Sequence, residues 1–121
     1  MDSTSKVYEA FELSREAMND ARRETNSNTR IDFVWKAYSQ LELGIGLAKL
    51  AFRVDEQYSS KRSLEKKKLG SSETEVNRAK ELLDIAEQDL RSGNVKSGLE
   101  EARKSRDCLK NLLLHAQRRG K

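Results

Sequence analysis

The chain has 121 residues, enough for one domain with its own core, and its lack of proline, six glycines and 36% charged residues favour long solvated helices over sheet. Its one cysteine, Cys108, cannot close an internal disulfide, and no stretch has the make-up of a secretory leader, so a reducing cytoplasm is expected. The least charged stretch, Ala37 to Ala48, is interrupted by Gln40 and Glu42 and falls short of the ~20 apolar residues of a membrane span.

The formal charge of +4 is unevenly spread. Residues 1–58 hold 8 basic and 10 acidic side chains, residues 59–70 hold 5 and 1, and residues 71–121 hold 11 and 9. The excess positive charge therefore sits in a connector and in a basic tail, Arg118 to Lys121, while the packed segments are close to neutral.

A first helix is predicted from Asp2 or Ser3, with a stripe at Val7, Ala10, Ser14, Ala17 and Ala21 spaced for one buried face. The polar run Thr25 to Thr29 interrupts it, because Asn, Ser and Thr bond to nearby backbone and favour turns. A second helix is expected to start near Thr29 or Arg30. It has two stripes: Val34, Tyr38, Leu41, Ile45, Ala48 and Phe52 on one side, and Leu43, Leu47, Leu50 and Val54 on roughly the other. Phe33, Trp35 and Ala37 widen the apolar surface, so this helix needs cover on more than one side.

The segment 59–71 reads as a connector, offering only Leu64 and Leu69 to a core. Ser72-Glu73-Thr74-Glu75 has the form of a capping box and marks the start of a third helix, with a seam at Val76, Ala79, Leu83, Ala86 and Leu90. Ser92-Gly93-Asn94 ends it, and Asn94 is placed to cap a fourth helix carrying Leu99, Ala102, Leu109, Leu112, Leu113 and Ala116, with Arg106 interrupting its apolar face.

The halves also resemble each other. Ala10, Glu12, Leu13, Ala17, Asp20 and Arg22 recur 69 residues later as Ala79, Glu81, Leu82, Ala86, Asp89 and Arg91, and beyond the turn the offset becomes 65. The expectation is one all-α domain, a four-helix up-and-down bundle made of hairpin 1 (about 3–58) and hairpin 2 (about 72–117), with a duplicated hairpin as its plausible origin.

Chemistry is sparse. Cys108 and His115 are seven residues apart, which on one helix separates them by roughly 10 Å, too far for proton transfer. One histidine and one cysteine give no zinc set, and the Glu-x-x-His unit of di-iron bundles would need Glu where Leu112 stands. Gly44-Ile45-Gly46 continues as Leu47-Ala48-Lys49 with no preceding strand, so it is no phosphate loop; close packing against a bulky residue such as Phe11 or Trp35 is the expected reason for both glycines. No catalytic residue, metal or cofactor is predicted.

Two surfaces remain. Leu43, Leu47, Leu50 and Val54 would each forfeit roughly 1.5–3 kcal/mol if left in water, so the expected role is a non-enzymatic assembly or adaptor module that forms a homo-oligomer through helix 2 and meets a protein partner. Lys61, Arg62, Lys66, Lys67 and Lys68 could neutralise phosphates, making nucleic-acid contact the second, less favoured, reading.

Ala79 to Leu114, with Ala86, Asp89, Gly93, Leu99, Ala102, Leu109 and Leu113, resembles the second half of HEPN-type helical bundles. That resemblance implies a link to nucleotide transfer or RNA cleavage. HEPN ribonucleases place four to six residues between Arg and His, whereas here eight lie between Arg106 and His115 and eleven between Arg103 and His115. In length and composition the chain is also similar to small helical proteins of thermoacidophilic archaea.

Overall fold

The predicted stripes become the inner faces of four helices, α1 (Ser3–Arg23), α2 (Ser27–Ala51), α3 (Ser72–Arg91) and α4 (Val95–Arg119), in a computed structural model that describes residues 3–53 and 72–119. Among the described residues there is no strand, and the helices form a four-helix bundle. Its core is dominated by Phe11, Met18, Leu41, Leu83, Leu99 and Leu109, all fully buried. Each contributes roughly 1.5–3 kcal/mol of apolar transfer.

The chain turns are local chemistry. Asn26 takes an extended conformation, and its side chain accepts from the backbone N–H groups of Asn28 and Thr29. This caps α2 at Ser27, earlier than the expected start near Thr29 or Arg30, because the polar residues after Asn26 occupy a first turn whose N–H groups have no helical acceptor. At the end of α3, Gly93 has φ +90°, its N–H donates to Leu90 O, and Asn94 N–H donates to Asp89 O. These paired bonds are a Schellman closure, and the positive φ explains the glycine. Asn94 then opens α4, its carbonyl accepting from Gly98.

Within each hairpin the helices approach closely. A β-carbon on Gly44 would stand 2.7 Å from the Phe11 ring, and one on Gly98 would stand 2.8 Å from Leu90. Two buried serines tie the same pairs together: Ser14 Oγ donates to Ala37 O at 2.7 Å across α1 and α2, and Ser105 Oγ donates to Ala79 O at 2.6 Å across α4 and α3. A hydroxyl bonded this way is small and polar yet fully satisfied, so it costs the core little.

The hairpins pack with α1 against α3 and α2 against α4; among the described residues α1 does not pack against α4, nor α2 against α3. The ion pair Arg15–Asp84 (2.8 Å) and the stacking of Arg91 over Tyr8 (4.0 Å to the ring centroid) fix the direction. Tyr8 lies seven residues before Arg15 and Arg91 seven after Asp84, so α1 and α3 are antiparallel, and every contacting pair of helices is too. The end of α2 and the start of α3 consequently lie at opposite ends of the bundle. Arg15 and Asp84 are also 69 residues apart, the repeat offset seen in the sequence. They are each other's counterparts in the two halves, meeting where a twofold axis perpendicular to the helices would pass.

Candidate assembly surface on the second helix

One side of α2 packs inward through Val34, Ala37, Leu41, Gly44, Ile45 and Ala48, all buried. The opposite side carries large apolar groups in water: Leu50 is 78% exposed, Leu43 53% and Trp35 46%. Leu13, Ile85 and Leu114 are the other large exposed hydrophobics among the described residues, one on each remaining helix. The second stripe predicted from the sequence is thus a surface, with Leu47 half-buried at its edge against the core. Val54, the fourth residue of that stripe, lies outside the described residues, as do Leu64, Leu69 and the cluster Lys61, Arg62, Lys66, Lys67 and Lys68.

The two glycines of α2 have different reasons. Gly44 makes room for Phe11, as expected, but a β-carbon on Gly46 would meet nothing within 4 Å. Among the described residues close packing does not account for Gly46, because it faces outward between Leu43 and Leu50. Trp35 is likewise not opposite a glycine; its ring meets Tyr38 edge to face, with centroids 5.9 Å apart.

Beside this surface, Arg106 of α4 reaches Glu42 of α2 at 3.0 Å and its neighbour Asp107 at 3.3 Å. Burial lowers the pKa of the Arg106 guanidinium, but the hydrogen bond to Glu42 and the charges of Asp107 and Glu42 outweigh it and raise the pKa above its ordinary value. Tyr38 beneath is pushed up, first by burial and then by Glu42, with Arg106 opposing. Arg106 therefore interrupts the apolar face of α4 in order to anchor a carboxylate on the neighbouring helix.

The other singled-out residues do not converge. His115 is exposed on α4, nine residues beyond Arg106, roughly 13 Å along the axis. Cys108 is half-buried, and burial, with help from Glu75 and Asp107 against Arg78, pushes its thiol up to about 11. At pH 8 the thiolate fraction then falls about 100-fold below that of an unperturbed thiol. Iodoacetamide should accordingly label Cys108 slowly in the folded protein and at ordinary thiol rates in urea; equal rates would contradict the shielding.

Among the described residues, no group of three or more His, Cys, Asp or Glu side chains is arranged to hold a metal ion, and no helix is long and apolar enough to cross a membrane. No family model, curated protein or solved structure matches the chain.

Proposed function

We infer that the chain is a non-enzymatic assembly module whose working surface is the outer face of α2. The observation that carries this reading is the alignment of Trp35, Leu43 and Leu50 on one face, exposed, around a glycine with open space beside it. A mid-helix glycine costs about 1 kcal/mol relative to alanine, and exposed leucines forfeit burial. Close contact with another helix offsets both costs. The simplest occupant is a second copy, since like surfaces pair about a twofold axis without needing a separate complementary patch.

Light scattering on a size-exclusion column is the test, recorded at moderate and high salt with absorbance at 260 and 280 nm. The expected result is a dimer that persists in high salt, carries no nucleic acid and becomes a monomer in the variant Leu43→Lys/Leu50→Lys. Both positions are exposed, so the variant should fold normally. A monomer at all concentrations would refute the reading, and a nucleic-acid peak stripped by salt would favour the basic cluster at 61–68 instead.

A further inference from the structure

The pattern of exposed residues along α2 also specifies how two copies would meet. Asp32, Ser39 and Gly46 are all exposed and recur every seven residues, with Leu43 and Leu50 four positions after the last two, and Arg53, also exposed, follows just beyond the end of α2 with φ 51°. A seven-residue repeat of two alternating positions is the spacing by which one helix keeps a continuous seam against another. Here the repeat faces solvent, on the side of α2 away from both α1 and α4.

Two directions of pairing are available about a twofold axis, and charge separates them. In a parallel, in-register pair each seam residue faces its own copy, so Asp32 meets Asp32 and the two ends that carry Arg53 lie side by side. In an antiparallel pair centred between Glu42 and Leu43, Asp32 lies beside the end of the other copy's α2, just beyond which Arg53 follows. Ser39 then faces Gly46, and Trp35 faces Leu50. Leu43 lies at the axis against its own counterpart. Lys36 and Lys49 are thirteen residues apart, which puts them roughly 140° apart around the helix at 3.6 residues per turn. They fall on opposite flanks of the seam and do not meet. Glu42, the charge nearest the axis, is already neutralised by Arg106 at 3.0 Å.

We propose that two copies associate through α2 in this antiparallel register, with the small residues Ser39 and Gly46 opposed and the acidic Asp32 of each copy beside the basic Arg53 end of the other. The proposal rests on the assembly reading above and adds its geometry. It gives Gly46 a reason that the single chain does not, since a side chain there would stand between the helix axes. One helix per copy is a small contact beside the ~800 Å² per partner usual for stable complexes. The dimer should therefore dissociate on dilution.

The test uses the full chain with Cys108→Ala, carrying either Trp35→Cys or Leu50→Cys, the two exposed positions that the register opposes, and leaves Gly46 unchanged. Each variant alone and an equimolar mixture are treated with a short bismaleimide, at a concentration where light scattering reads a dimer. The expected outcome is a covalent dimer from the mixture, with several-fold less from either variant alone. As much product from the single variants as from the mixture, or none from the mixture while scattering still reads a dimer, overturns the register and leaves the assembly reading standing. A scattering mass that stays monomeric overturns both.

Discussion

Replacing Phe11 with alanine should lower the stability of the bundle by about 3–5 kcal/mol, and it should also reverse the sign of a second substitution, Gly44→Ala. Phe11 is completely buried, and its ring occupies the space into which a β-carbon at Gly44 would project, at 2.7 Å. In the native protein Gly44→Ala gains about 1 kcal/mol of helix propensity but forces an immobile ring to move, which costs about 1–3 kcal/mol, so the net effect is destabilising. With Phe11 truncated the main obstruction is gone, only the milder approach to Ala10 Cβ at 3.3 Å remains, and the propensity gain should outweigh it. Urea denaturation of the two single variants and the double variant would reveal the coupling. Additive effects would mean that the ring already moves freely, contrary to the packing described.

The second large effect concerns the charged cluster that joins α1 to α3. Arg15 is 83% shielded from solvent and reaches Asp84 at 2.8 Å and Glu87 at 2.9 Å, with Glu12 on its own helix as a third partner. Burial pushes the Glu87 carboxyl up, but hydrogen bonds from Arg15 and Arg91 outweigh it and hold the group below its ordinary value. Arg15→Met keeps the aliphatic stem and removes the charge, leaving Glu87 poorly compensated. The expected loss is about 2 kcal/mol at neutral pH, less than for a fully buried pair because Asp84 and Glu12 are solvated.

The sign of its pH dependence follows from linkage. A carboxyl whose folded pKa is depressed stabilises the fold above its ordinary range and loses that contribution as pH falls through the depressed value. Native protein and Arg15→Met should therefore differ most at neutral pH and converge in acid, as pH falls through the depressed pKa of Glu87. A gap that persisted in acid would show that Arg15 acts through the packing of its stem alone.

These two clusters also mark what could be read from the sequence. The inner stripes of all four helices were legible, because apolar residues at steps of three and four report a buried face whatever lies opposite. Gly93 and Asn94 were legible because helix closure and capping are settled within a few residues. Phe11 as the neighbour of Gly44 was within reach, since two helices joined by a short turn must be antiparallel. Arg15 was not legible as a link between hairpins, because its partners lie 69 and 72 residues away and depend on which helices become neighbours. Gly98 and Ser105 escaped notice for the same reason: each serves the approach of α4 to α3, and neither leaves a periodic trace. Arg106 was conspicuous, but only the packing of α4 on α2 supplied Glu42 as its partner. The outer stripe of α2 was visible as surplus hydrophobicity, and the bundle then showed which of its residues face water.

The arrangement of the two hairpins has a consequence for how copies of the chain could trade parts. Each hairpin is internally complete, held by Ser14 on Ala37 and Phe11 under Gly44 in one, and by Ser105 on Ala79 and Leu90 under Gly98 in the other. The contacts between them, Arg15–Asp84 and Arg106–Glu42 among these, would be the same if the second hairpin came from another molecule. Among the described residues only the covalent continuity of the chain makes these contacts intramolecular, and such a link favours its own hairpin only up to the effective concentration it confers. Refolding from concentrated denatured protein would therefore populate an exchanged dimer in which the contacts between the described helices are preserved. It would have the same mass as a dimer paired through α2, but charges placed at Leu43 and Leu50 would dissociate only the latter.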